Sequence, residues 1–141
     1  MVSKICLQVF EKSILDYHVF DDISKESNNP YNKNQLEFLL YQKNWIDTVQ
    51  WHLEDIIRDP KIDPAEALKI KRTIDLSNQK RTDLVEYIDS YFLEKNKNVK
   101  IQNNASFNSE SPAWAIDRLS ILALKIFHMK QETERTDVDQ S

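Results

Sequence analysis

Apolar residues recur at steps of three and four in four stretches of the chain, and this spacing predicts four amphipathic helices. We expect these helices over residues of about 2–20, 33–58, 63–93 and 112–135. The stripe of the first helix is formed by Leu7, Phe10, Ile14 and Tyr17. The predicted buried stripe of the second consists of Leu36, Leu39, Leu40, Ile46, Val49, Leu53, Ile56 and Ile57.

The predicted helix ends rest on residues that stop or cap helices. Asp59-Pro60 ends the second helix, since the residue before proline avoids helical geometry. Asp63-Pro64 begins the third, with Asp63 as the cap and Glu66 completing a capping box. The connection is short, so the second and third helices are expected to pack antiparallel. Ser111-Pro112 caps the fourth helix in the same way.

These elements predict an all-α protein, an antiparallel four-helix bundle that forms one domain over residues 1–135. Residues 94–111 read as a long polar loop, and 136–141 as a charged tail that frays. The segment Leu119–Phe127 is apolar on nearly all sides, which is typical of a central helix. Because no further helix follows it, we expect a homo-oligomer or a protein partner to cover this segment.

Composition excludes several classes of site. The 141 residues contain no glycine, which excludes the glycine-rich loops that bind phosphate and dinucleotides. The single cysteine, Cys6, excludes an intrachain disulfide and zinc sites with paired cysteines, and we expect its thiol to be buried and inert. A formal net charge of −4 argues against nucleic-acid binding. We find no membrane-spanning run and no signal peptide, and therefore expect a cytoplasmic protein.

Two polar residues interrupt the apolar stripe of the third helix. Asn78 and Arg81 occupy positions where apolar residues are expected. A buried arginine needs an acidic partner, and we expect Arg81 to meet Glu54, Asp55 or Asp117. Such a network either fixes the register of the helices or forms a ligand site, and the first is favoured. The candidate polar site comprises His52, Glu54, Asp55, Arg58, Asn78, Arg81, Trp114, Asp117 and Arg118.

The histidines are weaker evidence for a functional site than the polar residues of the third helix. His52 and Asp55 lie one turn apart on the second helix, which suits acid–base chemistry or metal binding but is equally typical of a solvated helix face. A bundle can bring His18, His52 and His128 together, but their spacing does not require it. We therefore expect no metal there and no cofactor.

An enzymatic alternative stays open. Paired carboxylates on facing helices bind magnesium in all-helical nucleotide pyrophosphohydrolases, and Asp55, Glu86 and Asp89 are the matching candidates. Those enzymes carry Glu-x-x-Glu on the partner helix, where this chain has His52-x-x-Asp55. The pattern is incomplete, and a charged outer helix face explains the same residues.

Three stretches carry a family resemblance: NPYNKNQLEFLLYQKNWIDTVQWHLEDIIRDP, KRTIDLSNQKRTDLVEYIDSYF and SESPAWAIDRLSILALKIFHMKQE. They resemble an uncharacterised, all-helical bacterial family of the Bacteroidota that has no established activity. The resemblance implies a chain that continues beyond the C-terminus seen here. It also implies an accessory role in envelope glycan synthesis, since genes of the family lie near glycosyltransferase genes.

Two functions follow. The leading hypothesis is an accessory or binding protein with a buried His/Asp/Arg polar network. The alternative is a divalent-metal-dependent phosphohydrolase. The sequence does not decide whether the protein is an enzyme.

Overall fold

The computed structural model describes residues 2–98 and 111–134, which form four α-helices and no strand. α1 spans Val2–Phe20, α2 Leu36–Ile57, α3 Pro64–Lys95 and α4 Pro112–Thr133. The predicted all-α helical bundle is confirmed. The tail predicted at 136–141 and most of the loop predicted at 94–111 lie outside the described residues.

The starts of α3 and α4 follow the capping signals in the sequence. The Asp63 carboxylate accepts a hydrogen bond from the Glu66 backbone N–H at 3.3 Å. Ser111 Oγ accepts one from the Trp114 backbone N–H, also at 3.3 Å. Each cap is followed by a proline at the start of the helix, where its missing N–H costs nothing.

Contacts between side chains fix the direction of each helix. Ser13 on α1 donates to the Tyr41 carbonyl of α2 at 3.4 Å, and further along both helices His18 lies beside His52. α1 and α2 therefore run in the same direction, and the connection over residues 21–35 returns from the end of α1 to the start of α2.

α3 runs opposite to its neighbours. It follows α2 after a short connection and packs antiparallel to it, as predicted. Arg81 meets Asp117, and Asp89, later on α3, accepts a hydrogen bond from the backbone N–H of Ala113 at 3.3 Å, at the start of α4. α4 is therefore antiparallel to α3 and runs in the same direction as α1 and α2. Among the described residues, α2 and α4 each contact all three other helices, whereas α1 and α3 do not meet.

An apolar core fills the space between the helices. It consists of Cys6, Val9, Phe10, Ile14, Tyr17, Leu36, Leu40, Tyr41, Trp45, Val85, Ile88, Ala113, Ile116, Ala123 and Leu124. The expected burial of Cys6 is confirmed, and burial raises the pKa of its thiol to about 11, so the reactive thiolate does not form near neutral pH.

α2 departs from its predicted stripe. Its interior face is strongly polar, whereas Ile56 from the predicted stripe is 39% exposed. The buried polar residues of this face are Lys43, Asn44, Asp47, Thr48 and Gln50. Apolar periodicity missed this face because it assigns charged residues to solvent, and that assignment fails where buried charges are paired. α2 also begins at Leu36 rather than near 33, because Asn32 and Gln35 form a turn just before it.

α4 presents apolar side chains to solvent as well as to the core. Ala123 and Leu124 are buried, but Leu122 and Ile126 are 50% and 57% exposed. Within this structure the predicted Leu119–Phe127 segment is therefore covered on one side only. None of the described helices combines the length and apolar character needed to cross a membrane.

Candidate functional site: an ion-pair network and a histidine cluster

Four charged side chains from three helices meet in the middle of the bundle, and we call them the ion-pair network: Lys43, Asp47, Arg81 and Asp117. Lys43 Nζ contacts a carboxylate oxygen of Asp47 and lies 2.6 Å from Asp117 Oδ1. Arg81 Nε lies 2.7 Å from Asp47 Oδ1, and Arg81 Nη2 lies 3.2 Å from Asp117 Oδ1. Two cations and two anions thus neutralise each other inside the protein.

Neutral polar groups complete the contacts of this network. Ser120 Oγ donates to Asp47 Oδ2 at 2.7 Å, and Asn44 Nδ2 donates to Ser120 Oγ at 3.0 Å. A second pair of bonds links α2 to α3: Ser77 Oγ donates to Gln50 Oε1 at 3.0 Å, and Gln50 Nε2 donates to Asn78 Oδ1 at 2.9 Å. These bonds satisfy polar groups that would otherwise be costly to bury.

The two carboxylates differ in their pKa. Burial raises the pKa of Asp47, against the opposing effect of Lys43 and Arg81. Burial acts in the same sense on Asp117, but there the hydrogen bonds and charges of Lys43 and Arg81 outweigh it and lower the pKa. Asp117, at the edge of the network, is therefore the carboxylate whose ionised form the two cations favour more strongly.

The expectation that Arg81 meets an acid is confirmed for Asp117, and its second acidic partner is Asp47 rather than Glu54 or Asp55. Sequence reasoning missed Lys43 and Asp47. Their spacing of four residues on α2 was the available signal, since it allows a helical ion pair.

Four predicted site residues line one small cavity beside the network. Asn78, Arg81, Trp114 and Asp117 bound it, and its volume is about 260 Å³. The remaining candidates are dispersed. Arg58 and Asp55 form an exposed pair on α2 at 3.9 Å, and Glu54 and Arg118 do not line this cavity.

Three histidines, His18 on α1, His52 on α2 and His128 on α4, form a second polar centre that we call the histidine cluster. One ring nitrogen from each can be chosen so that all three lie within 4.8 Å of one another. His52 Nε2 is 3.3 Å from His18 Nε2. The sequence indicated this convergence as possible but not required, and the parallel direction of α1, α2 and α4 is what produces it.

Aromatic rings hold the imidazoles in place. Trp51 stacks on His128 with 4.8 Å between ring centroids, and Tyr17 stacks on His52 with 5.1 Å. Burial lowers the pKa of both His52 and His128 below the usual value of 6.5, and the neighbouring histidines lower it further. The neutral, electron-donating form of these two rings is therefore favoured.

Carboxylates flank the histidine cluster. Asp21 Oδ1 is 3.9 Å from His52 Nε2, and Asp55 borders the two open cavities beside His52. The larger cavity, about 660 Å³, is also lined by Trp51 and His128. Of the predicted candidates, His52 and Asp55 thus belong to this centre rather than to the ion-pair network.

The structure does not bring the magnesium candidates together. Asp89 accepts a hydrogen bond at the start of α4, Glu86 is exposed on α3, and Asp55 lies near the end of α2. Within residues 2–98 and 111–134, the histidine cluster alone places three possible ligands within metal-binding reach of one another.

Comparison with known proteins places the chain in a family without assigning an activity. Neither a curated protein nor a solved structure matches it. A model described as "Protein of unknown function (DUF4254)" matches residues 37–141, which include all of α2 but its first residue, all of α3 and α4, the whole ion-pair network and two of the three clustered histidines. This match covers well over half of the sequence, and the chain therefore belongs to the DUF4254 family of proteins of unknown function.

Proposed function

We propose that the protein is an accessory binding protein that pairs with a second copy of itself through the outer face of α4. The observation that carries this proposal is a stripe of large apolar side chains on a solvent-facing side of that helix. Leu122, Ile126 and Met129 are 50%, 57% and 68% exposed. We call these three residues the α4 stripe.

The spacing of the α4 stripe favours a helix as its occupant. Its residues follow one another at steps of four and three, and Leu119 extends the series at its start. Alternating steps of three and four are the pattern by which helices pair along a seam. A second copy is the simplest occupant, because a two-fold axis brings the same stripe from both chains together.

The ion-pair network supports a structural role rather than a catalytic one. Its cations and anions contact one another, so the network holds α2, α3 and α4 in register. We do not propose a magnesium-dependent phosphohydrolase, because the carboxylates that such an enzyme needs lie apart in this structure.

The family resemblance of the sequence indicates envelope glycan synthesis as the process in which this accessory protein acts. This part of the proposal rests on the resemblance alone. Deletion of the gene is expected to alter the surface polysaccharide, and an unchanged polysaccharide would contradict the link.

The pairing is tested by measuring molar mass with light scattering during gel filtration. The wild-type chain is expected to have the mass of a dimer, and Ile126→Glu that of a monomer, because a buried carboxylate destabilises the seam. Leu76→Glu is the matched control, since Leu76 is 68% exposed on α3, outside the stripe, and this variant is expected to stay dimeric. Circular dichroism checks that each variant is folded.

Two results would overturn the pairing. One is a wild-type chain that remains monomeric at every concentration tested. The other is a dimer that Ile126→Glu and Leu76→Glu weaken equally, since that places the contact away from the α4 stripe.

A further inference from the structure

The histidine cluster lies where three helices with the same direction approach their C-terminal ends. α1 ends at Phe20, α2 at Ile57 and α4 at Thr133, and each contributes one histidine within its last two turns. The unpaired carbonyl groups at a helix C-terminus carry partial negative charge, so this end of a helix favours cations. Three such ends together give a setting that favours positive charge.

The distances within the cluster suit a single transition-metal ion. Zinc binds histidine nitrogens at about 2.0–2.1 Å, which in a tetrahedral site separates neighbouring nitrogens by roughly 3.3 Å. The two Nε2 atoms of His18 and His52 are already 3.3 Å apart. The three ligand nitrogens lie within 4.8 Å of one another, so small side-chain rotations bring the third into range.

Hydrogen bonding directs one lone pair into the cluster. His18 Nδ1 is 2.7 Å from the Ile14 carbonyl oxygen. A carbonyl oxygen only accepts, so Nδ1 carries the proton and Nε2 of the neutral ring presents its lone pair to His52. This arrangement, with one nitrogen bound to a backbone carbonyl and the other free, is typical of histidines that bind metals.

His128 supplies an independent observation. Its Nε2 atom is buried and has no hydrogen-bond partner among the residues that the structure describes, whereas the side chain of Gln131 hydrogen-bonds to the same ring. A buried nitrogen without a partner is costly. Binding of a metal ion by the cluster accounts for a polar atom held in this position.

Asp21 is placed beside the cluster by an unusual backbone conformation. Its φ of 49° lies in the left-handed region, which aspartate tolerates better than most residues. Its backbone N–H donates to the Tyr17 carbonyl at 3.0 Å and so ends α1. The carboxylate of Asp21, only 3.9 Å from His52 Nε2, adds negative charge next to the cluster.

We propose that His18, His52 and His128 together bind one divalent transition-metal ion of the zinc type. A site with three histidines leaves a fourth position for water or another ligand. The open cavity lined by Trp51, His52, Asp55 and His128 gives this position access to solvent. Asp21 strengthens binding by its charge and is not one of the three ligands.

The test is titration of the metal-free 141-residue chain with zinc, monitored by calorimetry, and with cobalt, monitored by visible absorption. We expect one ion per chain and a cobalt spectrum of low coordination number. Replacing any one histidine with asparagine is expected to weaken zinc binding more than about 100-fold. Loss of a residue that only hydrogen-bonds to a metal ligand already costs about 10–100-fold, and loss of the ligand itself should cost more. Asp21→Asn is expected to weaken binding by about tenfold.

Cys6 provides the matched control, because cysteine is the other strong zinc ligand in the chain and Cys6 is buried on α1. Cys6→Ser is expected to bind zinc as the wild type does. Ile126→Glu, which tests pairing, is also expected to keep the zinc site, so the two proposals can fail separately.

Three outcomes would overturn the metal site. These are no zinc binding by the folded wild-type chain, binding that survives all three histidine variants, and binding that Cys6→Ser abolishes. Circular dichroism of each metal-free variant separates loss of a ligand from loss of the fold. If a histidine variant does not fold, zinc protection of the wild-type histidines from chemical modification decides the same question.

Discussion

The two polar centres of this bundle differ in how their groups are satisfied. In the ion-pair network, each charged side chain contacts two groups of opposite charge. In the histidine cluster, the nearest carboxylate among the described residues is that of Asp21, 3.9 Å from His52 Nε2. In the ion-pair network the charged groups bind one another, whereas in the histidine cluster ring nitrogens keep lone pairs that can bind a ligand.

This difference separates a structural network from a candidate binding site. Buried charges that pair with one another fix how helices meet, and their removal is expected to cost stability. Neutral ring nitrogens that converge without ion-pair partners contribute less to folding, and their removal is expected to cost binding. The predictions below test that division, beginning with the largest effect.

Asp47→Asn is expected to have the largest effect on stability. It leaves the buried Lys43 with one anion fewer, and breaking a buried ion pair costs about 3–5 kcal/mol. The matched control is Asp75→Asn, which breaks the Lys71–Asp75 pair with the same spacing but with both side chains 59% exposed. An exposed pair of this kind contributes little to stability, so this variant is expected to unfold close to the wild type. Urea unfolding measures both, and equal costs would contradict a structural role for the network.

The double variant Lys43→Met, Asp47→Asn is expected to be more stable than Asp47→Asn alone. It removes one charge of each sign, and Arg81 remains paired with Asp117. Interaction energies between contacting residues are about 0.5–3 kcal/mol, so we expect a recovery of about 1–2 kcal/mol. The free energies of unfolding of the wild type, both single variants and the double variant give the interaction energy between Lys43 and Asp47. Additive costs would show that the two residues do not act together.

Asp117 gives the network a pH dependence. Its pKa is lowered in the folded state, so its stabilising effect is present above the unfolded-state value of about 3.9 and is lost as the pH falls through the folded-state pKa. The stability difference between the wild type and Asp117→Asn is therefore expected to narrow below about pH 4. Thermal unfolding across this range measures it, and a difference independent of pH would contradict the assignment.

His52→Asn is expected to lower the stability of the metal-free protein less than the variants of the ion-pair network do. The variant loses the stacking of His52 on Tyr17, and aromatic contacts of this kind contribute about 0.5–1.5 kcal/mol. Urea unfolding in the presence of a chelator measures this cost. A cost as large as that of Asp47→Asn would show that the histidine cluster is itself structural.

Much of the fold follows from sequence periodicity and capping. Asp63 and Ser111 mark the starts of α3 and α4, because each cap is a local interaction between residues close in the chain. The direction of α1 was harder to predict. It depends on how the connection over residues 21–35 returns along α2, and that path is set by tertiary contacts such as the 2.5 Å hydrogen bond between Ser27 and Gln42.

The candidate site was predicted in part. Arg81 stood out because it interrupts an apolar pattern, which a single helix reveals, and Asp117 was one of the three acids expected to meet it. Lys43 and Asp47 resemble an exposed helical pair until α3 and α4 bury them. The histidine cluster depends on three helices sharing one direction, and one-dimensional spacing carries no information about that.

The start of α4 is fastened to α3 by the hydrogen bond from Ala113 to Asp89 and by the contact between Asp117 and Arg81. The position of α4 along the bundle is therefore encoded in these side chains rather than in the length of the chain that leads to it. Insertions between residues 98 and 111 would leave both polar centres intact. Because α4 contacts all three other helices, we expect a chain cut there to give two fragments that reassemble when mixed.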